Sequence, residues 1–140
     1  QRQLVELMEL RAGIEPLAAR LAAQRATAAQ RAELLRLATE LDRLGQAGLG
    51  DGQEYLRNDI EFHTLLLAAS GNVLYAELAG PVREILVGRT GLGLTPAVPA
   101  AGTLDAHLGA ARAIAEGDAE GAERFVRTHI AIVSDEVQQS

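Results

Sequence analysis

Apolar residues recur every three or four positions along most of the chain, a period that predicts helices with one buried face each. No stretch shows the sustained alternation of apolar and polar residues that a half-buried strand requires. The pattern divides the chain into six predicted helices, at about residues 3–25, 27–44, 51–69, 72–86, 103–116 and 118–138. We therefore predict an all-α fold, an antiparallel bundle of about six helices with mostly short connections.

Residues typical of helix N-termini stand at five of the predicted starts. Thr27, Asp51, Asn72 and Asp118 carry short side chains whose oxygen atoms accept hydrogen bonds from the first turn of a helix. Thr103 is expected to open the fifth helix in the same way.

Proline and glycine mark the predicted interruptions. Pro16 lies within the first helix and Pro81 within the fourth, and each lacks a backbone N–H, so we expect a kink near both. Residues 88–102 contain four Gly and two Pro, which predicts the longest loop of the chain.

Composition narrows the class of protein. A chain of 140 residues is long enough for one domain with its own core, and the apolar share of 48% is mostly Ala and Leu, with only 3% aromatic residues. The absence of cysteine excludes disulfides and thiol chemistry. No stretch approaches the roughly 18 apolar residues of a membrane span, so we expect no membrane association.

The charge of the chain argues against direct nucleic-acid binding. The formal net charge is −6, whereas neutralisation of phosphates requires a basic surface. The chain also begins at Gln1 in an already helical pattern, so we expect further sequence on the N-terminal side.

Four residues on three predicted helices form a candidate metal site. Asp59 and His63 are four apart, so they lie one turn apart on the same face of the third helix. His107 and His129 lie among apolar residues of the fifth and sixth helices and are expected to face inward. Bundle cores often build metal sites from facing helices. Core histidines that bond to backbone carbonyls are the structural alternative.

An ordered set of short stretches resembles the FCD effector-binding domain of the FadR subgroup of GntR-type bacterial transcription regulators. The resemblance covers essentially all 140 residues. The matching stretches are Glu9-Leu10-Arg11, residues 14–23 from Ile14 to Ala23, Asp59-x-x-Phe62-His63, Ala69-Ser70-Gly71-Asn72, His107 with Ala113-Ile114, and residues 117–122 ahead of His129.

This resemblance implies that Asp59, His63, His107 and His129 bind a divalent metal. Ligands of this type suit Zn, Ni, Mn, Co or Fe. The family usually has Glu immediately before the histidine of the fifth helix, where this chain has Ala106. Any supporting role of that Glu is therefore in doubt here, although the ligand itself is present.

The resemblance also implies a small carboxylate-containing effector, bound on or near the metal. Arg11, in the matching Glu-Leu-Arg stretch, is the first candidate for gripping the carboxylate, and Arg83 in the fourth helix is the second. We expect a cytoplasmic homodimer that contacts DNA only through a missing N-terminal winged-helix domain.

Two other functions fit the same residues. A helical-bundle metal-dependent hydrolase or transferase would use the same ligands, but the sequence offers no obvious general base. Glu61 lies two residues from both Asp59 and His63, so it points about 160° away from each of them. A purely structural dimerisation bundle with core histidines is the third possibility. We expect a ligand sensor and no enzymatic activity.

Overall fold

The computed structural model describes residues 2–139 and contains helices but no strand within that range. The helices are α1 (Arg2–Arg25), α2 (Ala28–Gln46), α3 (Gln53–Ala69), α4 (Val73–Ala76), α5 (Ala79–Gly91), α6 (Ala101–Glu116) and α7 (Ala119–Gln138). α4 is a single turn of four residues, and the other six are full helices. The predicted all-α class with six helices is confirmed. None of the helices within residues 2–139 is both long and apolar enough to cross a membrane.

Three of the predicted N-caps are confirmed. The Thr27 hydroxyl accepts from Gln30 N at 3.1 Å while Gln30 Oε1 accepts from Thr27 N at 2.9 Å, which makes a reciprocal capping box at α2. Asn72 Oδ1 accepts from Leu74 N at the start of α4. Asp118 Oδ1 accepts from Gly121 N at the start of α7.

The other two predicted starts are wrong by one to three residues. Asp51 lies inside a turn that Gly52 N closes onto Leu49 O at 3.1 Å, so Gly52 rather than Asp51 is the N-cap of α3. α6 starts at Ala101, two residues before Thr103. Thr103 is the third residue of α6 and its buried hydroxyl has no hydrogen-bond partner among the described residues, so it does not cap the helix.

The predicted fourth helix is two helices. The chain turns at residues 77–78 between α4 and α5, and Pro81 consequently falls in the first turn of α5. A proline there removes an N–H that has no partner within the helix anyway, so it interrupts nothing. α5 also continues to Gly91, which shortens the predicted loop of 88–102 to residues 92–100.

α1 lies at the centre of the bundle and packs against α3, α5, α6 and α7. Small side chains on its buried face, Ala18, Ala19 and Ala22, allow the neighbouring helices to approach closely. The buried face of α1 also carries Arg11 and Glu15, both fully enclosed. Charged groups therefore occupy positions in the centre of the bundle that an ordinary helix would give to apolar residues.

The loop of residues 92–100 packs on the turn between α2 and α3. Gly50 N donates to Ala97 O at 2.7 Å. A Cβ atom on Gly50 would lie only 2.5 Å from Pro96 O and 2.8 Å from Ala97 O. Since both are backbone atoms, no side-chain rotation can relieve the contact, and glycine is required at this close approach.

Replacing Gly50 with Ala should therefore destabilise the domain by about 1–3 kcal/mol, the usual cost of overpacking. Gly13→Ala is the matched control, because Gly13 lies within α1 and a Cβ atom added there would meet no neighbouring group within 4 Å. Alanine at Gly13 should leave stability unchanged or raise it by up to about 1 kcal/mol. Urea unfolding of both variants measures the difference. Equal stability of Gly50→Ala and the parent chain would contradict tight packing of the loop.

Candidate metal centre

The three histidines of the chain meet in the core. His63 on α3, His107 on α6 and His129 on α7 are buried, with exposed fractions of 0%, 2% and 4%. One ring nitrogen of each lies within 4.8 Å of the corresponding nitrogens of the other two. Such a group of three imidazoles could hold a metal ion.

Asp59, one turn before His63 on α3, points into the same group. Its Oδ1 atom lies 3.1 Å from His63 Nε2 and 3.6 Å from His107 Nε2, and these two nitrogens are 3.2 Å apart. Atoms bound to one ion at about 2.0–2.1 Å are separated by about 3–4 Å. The spacing of these donors therefore fits a shared ion without large movement.

Aromatic packing holds the imidazole rings in place. Phe62 presents its edge to His63 and His107, with ring centroids 5.2 Å and 5.0 Å away. The His63 and His129 rings are stacked at 5.0 Å with an interplanar angle of 16°. These contacts restrict ring rotation, which favours a preformed donor set.

Burial sets the protonation of the donors. Burial lowers the pKa of His107, although Asp59 opposes the effect. Burial and the neighbouring histidines hold the pKa of His129 well below its usual range. Burial would raise the pKa of Asp59, but the adjacent His107 and His63 side chains hold it well below the usual range. Neutral imidazoles and an ionised carboxylate are the forms that bind metals.

Behind His63 lies a carboxylate that was not among the predicted site residues. Glu15 Oε1 is 2.6 Å from His63 Nδ1, and Arg11 Nε donates to Glu15 Oε2. Burial alone would raise the pKa of Glu15, but Arg11 and His63 lower it to about 2. Burial alone would lower the pKa of His63, but Glu15 and Asp59 outweigh this effect, and the pKa of His63 is raised.

A small cavity lies in front of the site, and Asp59, His107 and His129 form part of its wall. Arg89 on α5, a second residue that was not predicted, also lines this cavity. Other residues of its wall are Tyr55, Thr95, Pro96, Pro99, Thr103, Val133 and Glu136. The space open to the centre of a water molecule is about 20 Å³, enough for one water or so.

Arg89 is buried with an incomplete set of partners. Its exposed fraction is 4% and its Nε has no hydrogen-bond partner among the described residues. One Nη atom lies 3.8 Å from Glu136 and donates to Leu94 O at 3.5 Å. Burial lowers the pKa of Arg89 and raises that of Glu136, as expected for charges taken out of water.

The structure places the two predicted effector-binding arginines elsewhere. Arg11 is enclosed beside Glu15 on the side of His63 away from Asp59, and it does not line the cavity. Arg83 is exposed and borders a separate surface groove together with Arg57 and Val87. Their roles in effector binding stay predictions.

A sequence signal for Glu15 and Arg89 does exist. Glu15 is four residues after Arg11, in register with the buried positions Met8 and Ala19 of α1. Arg89 continues the buried spacing of Val82, Ile85 and Leu86 in α5. A charged residue in register with a buried stripe indicates a functional or paired group.

Comparisons with known proteins identify the family of this chain. A model of the FCD domain matches residues 6–132. The chain belongs to the FCD domain family. It is 30% identical over 129 residues to the HTH-type transcriptional repressor NanR of Cronobacter sakazakii, an alignment that covers 87% of this chain and 46% of that protein. A solved structure of GntR from Streptococcus agalactiae is also similar, with a TM-score of 0.77 and 28% identity over 96% of this chain and 58% of that one.

This FCD domain therefore spans about half the length of the relatives that it matches. The NanR relative is a transcriptional repressor, as its name states.

The lowered pKa of His129 predicts how the metal-free domain responds to acid. The unfolded chain takes up this proton near pH 6.5 and the folded domain only at lower pH, so folding stability is lost as pH falls below 6.5. The raised pKa of His63 has the opposite effect on stability, but His63 is present both in the parent chain and in the variant His129→Gln. His129→Gln should reduce the loss of stability below pH 6.5 by up to about 1.4 kcal/mol per pH unit. Urea unfolding of chelator-treated protein between pH 7 and 5 measures it, and parallel curves for the two proteins would contradict it.

Proposed function

We propose that this FCD domain is the ligand-sensing part of a transcription regulator of the FadR subgroup of GntR-type regulators. It binds a divalent metal and a small organic acid, and it thereby modulates DNA binding by a winged-helix domain outside this chain. The observation that carries the proposal is a buried group of three histidines and Asp59 that faces a cavity containing the buried Arg89. The naming of the NanR relative as a transcriptional repressor and the similarity to the solved GntR structure support the same class.

The metal is held by Asp59, His63, His107 and His129. One carboxylate and three imidazoles favour Zn, Ni, Mn, Co or Fe over Ca or Mg, which prefer sets of oxygen ligands. When bound, the ion supplies a Lewis-acid position that an effector carboxylate can occupy. Asp59, His107 and His129 border the cavity, so an effector there reaches the donor set directly.

Charge balance favours an anionic effector once the metal is present. With the three imidazoles neutral, as metal binding requires, the buried charges at the donor set are Arg11, Glu15 and Asp59, and their sum is negative. A divalent cation turns that balance positive. A buried positive charge is stable only with a partner, and a carboxylate supplies one.

Arg89 is the residue best placed to bind the effector carboxylate. It lines the cavity and its Nε has no hydrogen-bond partner among the described residues, whereas Arg11 does not line the cavity and Arg83 lies on another surface. A guanidinium can grip a carboxylate with two parallel hydrogen bonds. Geometry thus favours Arg89 over the two arginines predicted from the sequence.

Effector entry requires the loop of residues 92–100 to move. The cavity holds about one water, and Thr95, Pro96 and Pro99 of this loop form part of its wall. Arg89 donates to Leu94 O at the start of the loop, so an effector that draws Arg89 away loosens that contact. A two-state loop of this kind, in a homodimer, is the element through which we expect binding to be signalled.

The proposal predicts a thermal shift that needs both metal and carboxylate. Adding Zn²⁺ or Ni²⁺ to chelator-treated protein should raise Tm, and a panel of small carboxylates from acetate to citrate should raise it further for at least one member. A ligand at 100 times its Kd stabilises by about 2.7 kcal/mol, which is several degrees for a domain of this size. His107→Ala should abolish both shifts.

Glu61→Ala is the matched control, because Glu61 lies between the two α3 ligands in sequence but is exposed. It should behave like the parent chain. Absence of metal from freshly purified protein, together with no response to added metal, would refute the proposed site.

The role of Arg89 has its own test. Arg89→Met should remove the carboxylate-dependent shift while metal binding is retained, because the side chain lines the cavity but is not a metal donor. Arg83→Met should leave both responses unchanged. Isothermal titration with the carboxylate that gives the largest shift measures the effect. Loss of carboxylate binding in Arg83→Met but not in Arg89→Met would make Arg83 the effector-binding cation.

A further inference from the structure

Arg11 and Glu15 form a fully buried ion pair on α1, and nothing in the proposed effector cavity uses it. Both side chains have an exposed fraction of 0%. Arg11 donates to the carboxylate through Nε and, at 3.3 Å, through Nη2, so the plane of the carboxylate is fixed. A buried ion pair gains little stability over an apolar pair of the same volume. Its position against His63 indicates another role.

The two nitrogens of His63 face different groups. Nδ1 lies 2.6 Å from Glu15 Oε1, on the α1 side. Nε2 lies 3.1 Å from Asp59 Oδ1 and 3.2 Å from His107 Nε2, on the side of the donor set. One ring nitrogen is thus free for an ion only if the other carries the proton.

The proton on Nδ1 is decided by Glu15. An ionised carboxylate oxygen at 2.6 Å would repel a bare nitrogen lone pair, so Nδ1 must carry a hydrogen and donate it. Arg11 Nη2 also approaches Nδ1, at 3.3 Å, but an arginine N–H could donate there only to an unprotonated nitrogen. The shorter contact with the carboxylate prevails. Without a metal, Nε2 can donate to Asp59 Oδ1, 3.1 Å away, but when Asp59 and His63 both bind the ion Nε2 must be bare, and the remaining proton then stays on Nδ1.

We propose that Glu15 is the positioning residue of the metal site: it fixes the tautomer and orientation of His63, and Arg11 holds the carboxylate of Glu15 in place. This inference rests on the proposed metal site and adds residues that do not touch the ion. A carboxylate behind a metal-binding histidine makes the imidazole more basic, and its loss typically weakens metal binding 10- to 100-fold.

The other two histidines provide an internal contrast. Nδ1 of His107 and Nδ1 of His129 are buried and have no hydrogen-bond partner among residues 2–139. His63 is therefore the one histidine of the three that a charged group anchors from behind. Removal of Glu15 should alter the signals of His63 much more than those of His107.

The first test needs no substitution. In ¹⁵N-labelled chain loaded with Zn²⁺, long-range ¹H–¹⁵N spectra should show the His63 proton on Nδ1, shifted strongly downfield by the carboxylate. The His107 ring proton should lack that shift. Zn²⁺ bound through Nδ1 of His63, or an Nδ1 proton without the downfield shift, would overturn the assignment to Glu15.

The second test removes the carboxylate. The double variant Arg11→Met/Glu15→Leu avoids leaving one buried charge alone, and its folding is checked by circular dichroism and urea unfolding. Its Kd for Zn²⁺ should rise 10- to 100-fold. The variant Arg11→Met/Glu15→Gln retains an amide oxygen that can accept from Nδ1, so it should recover part of the affinity. Glu61→Leu on the exposed face of α3 should bind Zn²⁺ like the parent chain.

The outcomes separate the two proposals. If the parent chain binds no Zn²⁺, the metal site itself is refuted and the role of Glu15 falls with it. If the parent chain and the double variant bind Zn²⁺ equally, the metal site stands and the role of Glu15 is refuted. If a double variant fails to fold, the spectrum of the parent chain still decides the question.

Discussion

Charged and polar groups from α1, α3, α5, α6 and α7 are buried around one point of this domain, and the charged groups lie beside groups of opposite charge or beside imidazoles. Taking a carboxylate or guanidinium out of water costs several kcal/mol unless a partner is supplied. Glu15 is the partner of two groups: its Oε1 lies 2.6 Å from His63 Nδ1, and its Oε2 accepts a hydrogen bond from Arg11 Nε. The orientation of α1 follows from this constraint, because its charged positions face the core while Leu17 is left 45% exposed.

Small residues make this meeting of helices possible. The buried positions of α1 beyond Glu15 include the alanines Ala18, Ala19 and Ala22, so α1 can lie close to its neighbours in the centre of the bundle. Larger side chains at these positions would separate the helices. Imidazole nitrogens from three different helices lie within 4.8 Å of each other only because the helices approach closely.

The site has a closed side and an open side, and the two can serve different purposes. On the closed side, the Arg11–Glu15 pair lies fully enclosed behind His63, where we propose that it fixes the orientation of the imidazole. On the open side, Asp59 and Arg89 border a cavity under the loop of residues 92–100. A sensor needs both a rigid donor set and an exchangeable position, and this division places them on opposite faces of one cluster.

The all-α class, most helix bounds, three caps and the inward histidines follow from the order of residues alone, because helical periodicity and capping depend on residues near each other in the chain. The break at residues 77–78 and the start of α3 after Gly52 rather than Asp51 were not predicted, and the turn before α3 is held by a contact with a distant segment, Gly50 N to Ala97 O. The fold had to be known to see that Glu15 lies behind His63, 48 positions away, and that Arg89 borders the cavity. Periodicity tells which side of a helix is buried, but the partner that a buried charge meets depends on how the helices pack.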